Sequence, residues 1–591
     1  MSSKIVEPLL HISDTFPFPL VSSAVAHLPS NTATPPIPLL ENVPLQASGW
    51  ETLLKPHPDR IYAQTIATII RYGVKIGYTG PPNQQIISKN LASSTADPGS
   101  LTKDLAKQVA AGRIQQVPKP TPTERFICSP LGLVPKADGT WRRIHHLSAP
   151  VGNSVNDHIP SEWGALEYAT FDQALALVAE TGRNSILVKR DLADAFRHIP
   201  VAQEDQWLLG FRWEDQFWID CFLPFGLRTA PFLFDLFAKG LHWVMAANPK
   251  FAVPGFAILH YLDDFLAIGP QSADALAFDC SFASACQELG FRIKTEKSTT
   301  GMLADFCGLE IDTHAMQARL PLPKLEKARN LVASTIRQRS LTLVELQSLV
   351  GFLSFCTKVV PTGRVFLRRL YTALSEYTSP HHRRRLSSHA MDDLRWWNTF
   401  LPTWNGITLI RTVRHEIRIW TDASGTRGLG GYYLQPSDDP LPQQWKMLTW
   451  DTAYSKPIPR HHRGKDINYK EMLAVLTAFR SWNTEIAGHK VVLHTDNTAV
   501  FHGLQKSSMK GKAMIPLREV KLLCAQLDIE LTLRWVPTKE NLIADLLSRR
   551  DFGKLANFAP QLGLTPPKTA DKLLIPSPPE SPSSPGCSNT L

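Results

Sequence analysis

In this 591-residue chain, acidic side chains recur at the ends of apolar, β-rich runs, in two separate groups. In the first, Ile186-Leu187-Val188 leads through Lys189-Arg190 to Asp191. Further on, Ala257-Ile258-Leu259-His260 leads to Tyr261-Leu262-Asp263-Asp264, and apolar sequence resumes from Phe265 to Gly269. Successive strand side chains point to opposite faces, so Asp263 and Asp264 can address one site only from a hairpin tip. An isolated Asp-Asp pair is ordinarily a solvated turn, and the order and spacing of the surrounding sequence argue for more. Two unit charges 4 Å apart repel by about 4 kcal/mol at an effective dielectric near 20. Gathering Asp191, Asp263 and Asp264 is therefore costly without a cation, and hard divalent cations take oxygen ligands. Two such cations roughly 3.5–4 Å apart are what in-line displacement at phosphorus needs.

The second group lies downstream. Ile417-Arg418-Ile419-Trp420 runs into Thr421-Asp422-Ala423-Ser424, and Val491-Val492-Leu493-His494-Thr495 delivers Asp496. Glu471 stands in a helical pattern beside small or apolar Ala474, Val475 and Ala478, and a carboxylate on such a stripe is costly unless paired or metal-bound. Asp545 falls on a short helix within Asn541 to Arg549. Plainer readings exist for each: Asp545 and Arg549 as an i,i+4 pair, Asp422 as a turn acid.

These acids need two positioning frameworks, and the chain changes character accordingly. Residues 1–48 and 560–591 each hold eight prolines and read as disordered tails. Short amphipathic helical patterns run from Trp50 to Ala111, followed by strand-like, turn-punctuated sequence from Cys128 to about Ile311. Helical periods then cover Leu325–Ile336, Thr342–Phe355 and Asp392–Phe400, with Thr342 and Glu345 spaced as a capping box. From Glu416 strands and helices alternate again. The fold class expected is α/β (α+β) and multidomain. The net charge is +10, and Arg319 to Arg385 alone holds thirteen basic against three acidic residues, an excess equal to that of the whole chain. A basic helical surface of this kind suits a nucleic-acid backbone. Eight cysteines occur without a C-x-x-C pair, so neither a disulfide framework nor a zinc knuckle is indicated. With no run of eighteen apolar residues and no apolar leader after Met1, a soluble intracellular protein without membrane partners is expected, cytoplasm or nucleus left open.

Between the first acids lies Leu223-Pro224-Phe225-Gly226-Leu227-Arg228-Thr229-Ala230-Pro231, where Gly226 admits close approach of a backbone or base pair. The ordered run D-L-x-D-A-F from Asp191, L-P-F-G-L-x-x-A-P, Y-L-D-D, Gly290-Phe291-Arg292-Ile293-Lys294 and Phe306 to Glu310 resembles the palm of a reverse transcriptase. Ser129 to Lys136 and Gly139-Thr140-Trp141-Arg142-Arg143 resemble its fingers. His146 to Pro150, Ser154 to Asp157, Gly351-Phe352-Leu353 and Asp393 to Trp397 are most similar to the DIRS-like retrotransposons, which integrate by tyrosine recombinase. T-D-A-S, Glu471, T-D-N and N-x-x-A-D-x-L-S-R resemble retroelement ribonuclease H.

The resemblance implies a right-hand polymerase followed by a ribonuclease H-like mixed-sheet domain. Its bounds are a Pro-rich tail over 1–48, an N-terminal helical extension over 49–125 and fingers and palm over 126–318. A helical thumb and connection follows over 319–415, then the ribonuclease H-like domain over 416–551 and a Pro/Ser-rich tail over 552–591. It makes Asp191 and Asp263 bridging ligands, with Asp264 in support, and Asp422, Glu471, Asp496 and Asp545 the second metal set. Each site would take two Mg²⁺, with Mn²⁺ as substitute. Lys136 and Arg142 would meet the triphosphate, and Phe196 would exclude a 2′-hydroxyl. Phe225, Gly226, Tyr261 and Lys294 complete the substrate-binding set, Phe225 standing where retroviral enzymes carry glutamine. Partners implied are an RNA template, a DNA primer, their RNA·DNA hybrid and deoxynucleoside triphosphates, with a recombinase or integrase in trans. Trp535 to Glu540 lacks the histidine that retroviral and bacterial ribonucleases H carry before their last acid. The alternative is a non-catalytic nucleic-acid scaffold, which predicts lost acids; all seven are present.

Overall fold

Aliphatic and β-branched runs on either side of the first acids build an antiparallel sheet of four strands. These are β1 (Ile186–Asp191), β2 (Ala257–Tyr261), β3 (Asp264–Gly269) and β4 (Thr299–Gly301), in the spatial order β4-β1-β3-β2. A computed structural model describes residues 16–21, 40, 42–136, 139–379, 381–404, 407–410 and 414–564. The chain divides into two units, Met1–Cys307 with Ile311–Ala315, and Gly308–Glu310 with Met316–Leu591.

In the first unit, α1 (Phe171–Thr181), α2 (Ala230–Ala247) and α3 (Ala275–Leu289) accompany the sheet. Helix α2 is apolar almost all round and buries Phe234, Phe237 and Leu241 completely. The sequence from Cys128 to Ile311 reads as strand-rich and hides α2, because a helix buried on every side has no polar face to mark its period. A second sheet runs Gln85–Ile87, Phe126–Cys128, Gly210–Trp213, Gln216–Asp220, Ile114–Val117 in spatial order. Two of its strands come from the segment expected to be a helical extension, so that segment is part of the sheet rather than an appendage. The segment read from its prolines as a tail also contributes to the core: Phe18, Leu20 and Leu45 are buried, and just beyond it Trp50 packs edge-on against Phe237 and Phe291. Composition averaged over 48 residues masks a few apolar anchors. Residues 1–15, 22–39 and 41, like residues 565–591, lie outside the described residues.

After short strands at its start, the second unit continues with α4 (Leu322–Gln338), α5 (Leu343–Cys356) and α6 (Ser388–Trp404). Thr342 caps α5 as its spacing predicts: its Oγ1 accepts from Glu345 N at 3.2 Å and its own N–H donates to Glu345 Oε2 at 2.8 Å. On α6, Trp396 lies flat on Phe366 at 3.7 Å, Trp397 is buried, and Asp393 pairs with Arg369 at 3.2 Å and with Arg518. Five strands follow: β5 (Glu416–Ala423), β6 (Gly428–Leu434), β7 (Ala453–Pro457), β8 (Lys490–Thr495) and β9 (Glu530–Trp535), in the order β7-β6-β5-β8-β9. Strand β5 is antiparallel to β6 and parallel to β8, which is parallel to β9. Helices α7 (Ile467–Ser481), α8 (Thr498–Gln505), α9 (Met514–Gln526) and α10 (Leu542–Arg549) complete this layer. Beyond Arg549, Leu555, Ala559 and Leu562 are buried in the same core as α10, so ordered structure continues past the expected end at 551. Among the described residues no helix is long and apolar enough to cross a membrane.

Candidate active sites

The first acids meet because of strand register. Asp191, the last residue of β1, pairs directly with Asp264, the first of β3, and Leu192 N–H donates to Asp263 O at 2.9 Å. Tyr261 also pairs with Asp264, so Leu262 and Asp263 form the hairpin tip, with Leu262 at φ +54°. Two cations stand on the cluster: Lys297 Nζ lies 3.1 Å from Asp191 Oδ2 and Lys189 Nζ 3.3 Å from Asp264 Oδ1. Asp263 has no such partner among the described residues, and burial, reinforced by the charges of Asp191 and Asp264, pushes its carboxyl up to about 6. Asp264 is raised as well, chiefly by burial. Lysines 189 and 297 carried no signal in the sequence; only the register that places Lys189 on β1 two residues before Asp191 could have pointed to one of them.

Other residues singled out by sequence fall around this hairpin in different ways. Lys294, expected in the substrate-binding set, joins through its backbone, its N–H donating to Asp191 O at 2.7 Å while its side chain is exposed; the side-chain contact with Asp191 is made by Lys297. Phe196 is half-buried, its ring 5.1 Å from the exposed ring of Phe225. Gly226 sits at φ +102°, where a Cβ would come 2.7 Å from His145 O, and its carbonyl accepts from Asn156 Nδ2 at 2.8 Å. Asn156 also accepts from Arg228 N through Oδ1 at 2.8 Å, so it staples both sides of the Phe225-Gly226 turn. Lys136 and Arg142 are exposed on the hairpin Leu131–Pro135/Trp141–His145 and make no side-chain contact with the acids. Asp194, in the same motif as Asp191, belongs instead to a structural link, bound by Arg113 at 2.7 Å and Arg292 at 2.8 Å.

The second acids converge by a different device. Asp422 on β5 faces Gly430 on β6, where a Cβ would come 2.3 Å from Ser548 N and 2.6 Å from Ala544 O. Glycine there lets α10 lie directly on the sheet. Helix α10 thereby brings Ser548 Oγ to donate to Asp422 Oδ2 at 2.5 Å, and carries Asp545, which pairs with Arg549 at 2.6 Å. Asn541 Nδ2 bridges Thr421 O at 3.0 Å and Asp496 Oδ1 at 3.3 Å. Burial, with the charges of Asp496 and Asp545, pushes Asp422 up to about 6 against the opposing Ser548 hydrogen bond. Glu471 on α7 is only 6% exposed and its carboxyl is raised well above the ordinary range, by burial first and then by Asp422 and Asp496. Its Oε2 has no hydrogen-bond partner among the described residues. Trp535, at the end of β9, donates from Nε1 to Asp496 O at 3.1 Å.

Among the described residues no three His, Cys, Asp or Glu side chains are already closed into a metal-ligand set. What both sites offer is all-oxygen donors, among them the raised carboxyls of Asp263 and Asp422 and one buried orphan oxygen on Glu471, which fits a hard divalent cation.

Comparison with known proteins follows the same division. Residues 134–337 match the family reverse transcriptase (RNA-dependent DNA polymerase), and residues 412–517 match the RNase H-like domain found in reverse transcriptase. The chain carries a reverse transcriptase domain followed by a ribonuclease H-like domain. Asp191, Asp263 and Asp264 lie within the reverse transcriptase match; Asp422, Glu471 and Asp496 lie within the ribonuclease H-like match, and Asp545 beyond its end. The Pro-Pol polyprotein of Feline foamy virus is 24% identical over 261 residues, 43% of this chain and 20% of that protein. The Gag-Pro-Pol polyprotein of Human T-cell leukemia virus 3 (strain 2026ND) is 27% identical over 282 residues, 45% of this chain and 17% of that protein. The chain thus spans about a fifth of the length of these curated relatives. A foamy viral protease-reverse transcriptase solved with an RNA/DNA hybrid aligns over 86% of this chain and 64% of its own, at 16% identity and a TM-score of 0.44.

Proposed function

We propose that this chain copies RNA into DNA at the Asp191–Asp263–Asp264 site and degrades the RNA strand of the resulting hybrid at the Asp422–Glu471–Asp496–Asp545 site. The observation that carries the reading is the pairing of Asp191 with Asp264 across β1 and β3, which leaves Asp263 half-buried at the adjoining tip with no ion-pair partner among the described residues. Paired divalent cations, Mg²⁺ by the hardness of the donors and Mn²⁺ as substitute, activate the attacking oxygen and offset charge on the leaving oxygen when bound. Asp191 and Asp263 would hold them at the first site, with Asp264 in support; Asp422, Glu471, Asp496 and Asp545 would do so at the second. A non-catalytic scaffold has no use for buried, uncompensated carboxylates.

Around the first site, Phe196 and Phe225 would wall the sugar pocket, Gly226 would let the base pair approach, and Lys136 and Arg142 would meet the triphosphate of an incoming deoxynucleotide. At the second, recognition of the 2′-hydroxyl would separate RNA from DNA. The RNA template, DNA primer and hybrid would run along a basic surface. Arg364, Arg368 and Lys506, for which no ion pair is found among the described residues, line a cleft of about 540 Å³ that supplies part of it. The motifs from His146 to Pro150 and from Asp393 to Trp397 support placement among DIRS-like elements, with a recombinase or integrase acting in trans; a recombinase gene and flanking repeats beside this open reading frame would test that.

The decisive experiment is primer extension on an RNA template with Mg²⁺ by the full chain, alongside hydrolysis of labelled hybrid. Asp263→Asn is expected to abolish extension and spare hydrolysis, and Asp496→Asn to do the reverse. Extension undiminished in Asp263→Asn would refute the assignment.

A further inference from the structure

Five aromatic side chains are exposed among the described residues: Tyr168, Phe225, Tyr261, Tyr371 and Trp535. Two of them stack on each other. The rings of Tyr168 and Tyr261 lie 4.7 Å apart with planes 30° from parallel, while the residues stay 36% and 37% exposed. Elsewhere in this unit aromatic pairs such as Trp50–Phe237 sit inside the core, where burial of ring area is the gain. A surface stack leaves that gain largely unrealised.

Neither ring hangs on a loose arm. Tyr261 ends β2 in register with Asp264 and stands two residues from Asp263. Tyr168 precedes by two residues Thr170, the cap of α1, which is locked by reciprocal bonds with Gln173 at 2.7 and 3.2 Å. With one face of Tyr261 backed by Tyr168, the remaining exposed ring surface forms a rigid, flat, apolar platform two residues from Asp263. Flat faces are what nucleotides offer, and stacking of a base on an aromatic ring changes affinity by about 5- to 100-fold with little dependence on sequence.

We propose that Tyr168 is a positioning residue that backs the Tyr261 ring, the pair forming the platform on which the 3′-terminal nucleotide of the primer rests. The proposal rests on the polymerase reading of this site. It assigns a role to a residue outside every motif above, brought to the hairpin only by the fold.

The test uses the full chain bound to an RNA template annealed to a DNA primer whose 3′-terminal base is 2-aminopurine, without deoxynucleoside triphosphates. Stacking quenches the probe. Quenching is expected in the wild type and in Tyr168→Phe, and lost by at least about half in Tyr168→Ala. In extension assays Tyr168→Ala is expected to raise KM for primer–template about 5- to 10-fold and to leave kcat within about twofold. Wild-type quenching and KM in Tyr168→Ala would overturn the proposal. So would equal loss in Tyr168→Phe, which would assign the effect to the hydroxyl, or a fall in kcat alone with quenching intact, which would make the residue structural. If the wild type quenches the probe but never extends the primer, the polymerase reading fails while the platform stands.

Discussion

Asp422 carries a sharp thermodynamic consequence. Its carboxyl is pushed from 3.8 to about 6 in the folded chain, mainly by burial. About two pKa units at 1.36 kcal/mol each correspond to a penalty of about 3 kcal/mol for holding it ionised without a cation. The sign follows from proton binding. Between pH 4 and 6 the folded state holds a proton that the unfolded state has released, so this residue's contribution to stability falls as pH rises through that window. Above pH 6 the penalty is complete. Asp422→Asn keeps an oxygen for the Ser548 hydroxyl and removes the charge. It is therefore expected to stabilise the metal-free ribonuclease H-like domain by about 3 kcal/mol at pH 7.5, and by almost nothing below pH 4. Hydrogen exchange of the Ile419–Asp422 amides in EDTA, wild type against variant at each pH, reads this locally. Added Mg²⁺ should slow exchange in the wild type and do much less in the variant. A variant no more protected than wild type at pH 7.5, or a difference that persists to pH 4, would refute the claim that uncompensated charge is stored at this site.

Other perturbations follow from the packing. Gly430→Ala places a Cβ 2.3 Å from Ser548 N, so α10 must shift; thermal melting should show a loss of about 2 kcal/mol, and hybrid hydrolysis should vanish while primer extension persists. Gly226→Ala meets both a φ of +102° and a 2.7 Å approach to His145 O, and should cost about 1–3 kcal/mol in denaturant titration and raise KM for deoxynucleotides more than for primer. Lys189→Met strips Asp264 of its 3.3 Å cation; metal-free protein should lose about 2 kcal/mol, partly restored by Mg²⁺ in a melting assay.

Much of the chemistry was legible in the linear order of residues. Asp191, Asp263, Asp422 and Asp496 each end or follow an apolar run, and a strand end is where a carboxylate can be presented without burying its whole surroundings. The Thr342–Glu345 cap was equally legible, since it is a bond between residues three apart. Helix α2 was not, because burial on all sides erases the periodicity that reveals a helix. Phe18, Leu20 and Leu45 were obscured by the prolines around them.

What the linear order alone determined, then, was which side chains carry charge and which local segments present them, because those depend on neighbours a few residues away. Tertiary structure alone decided the register that sets Asp191 against Asp264, the cations supplied by Lys189 and Lys297, and the glycine contact that brings Ser548 to Asp422. It also set Tyr168 on Tyr261 across 92 intervening positions. Strand register and helix-on-sheet approach are settled by the packing of whole faces, and no short window of sequence contains that information.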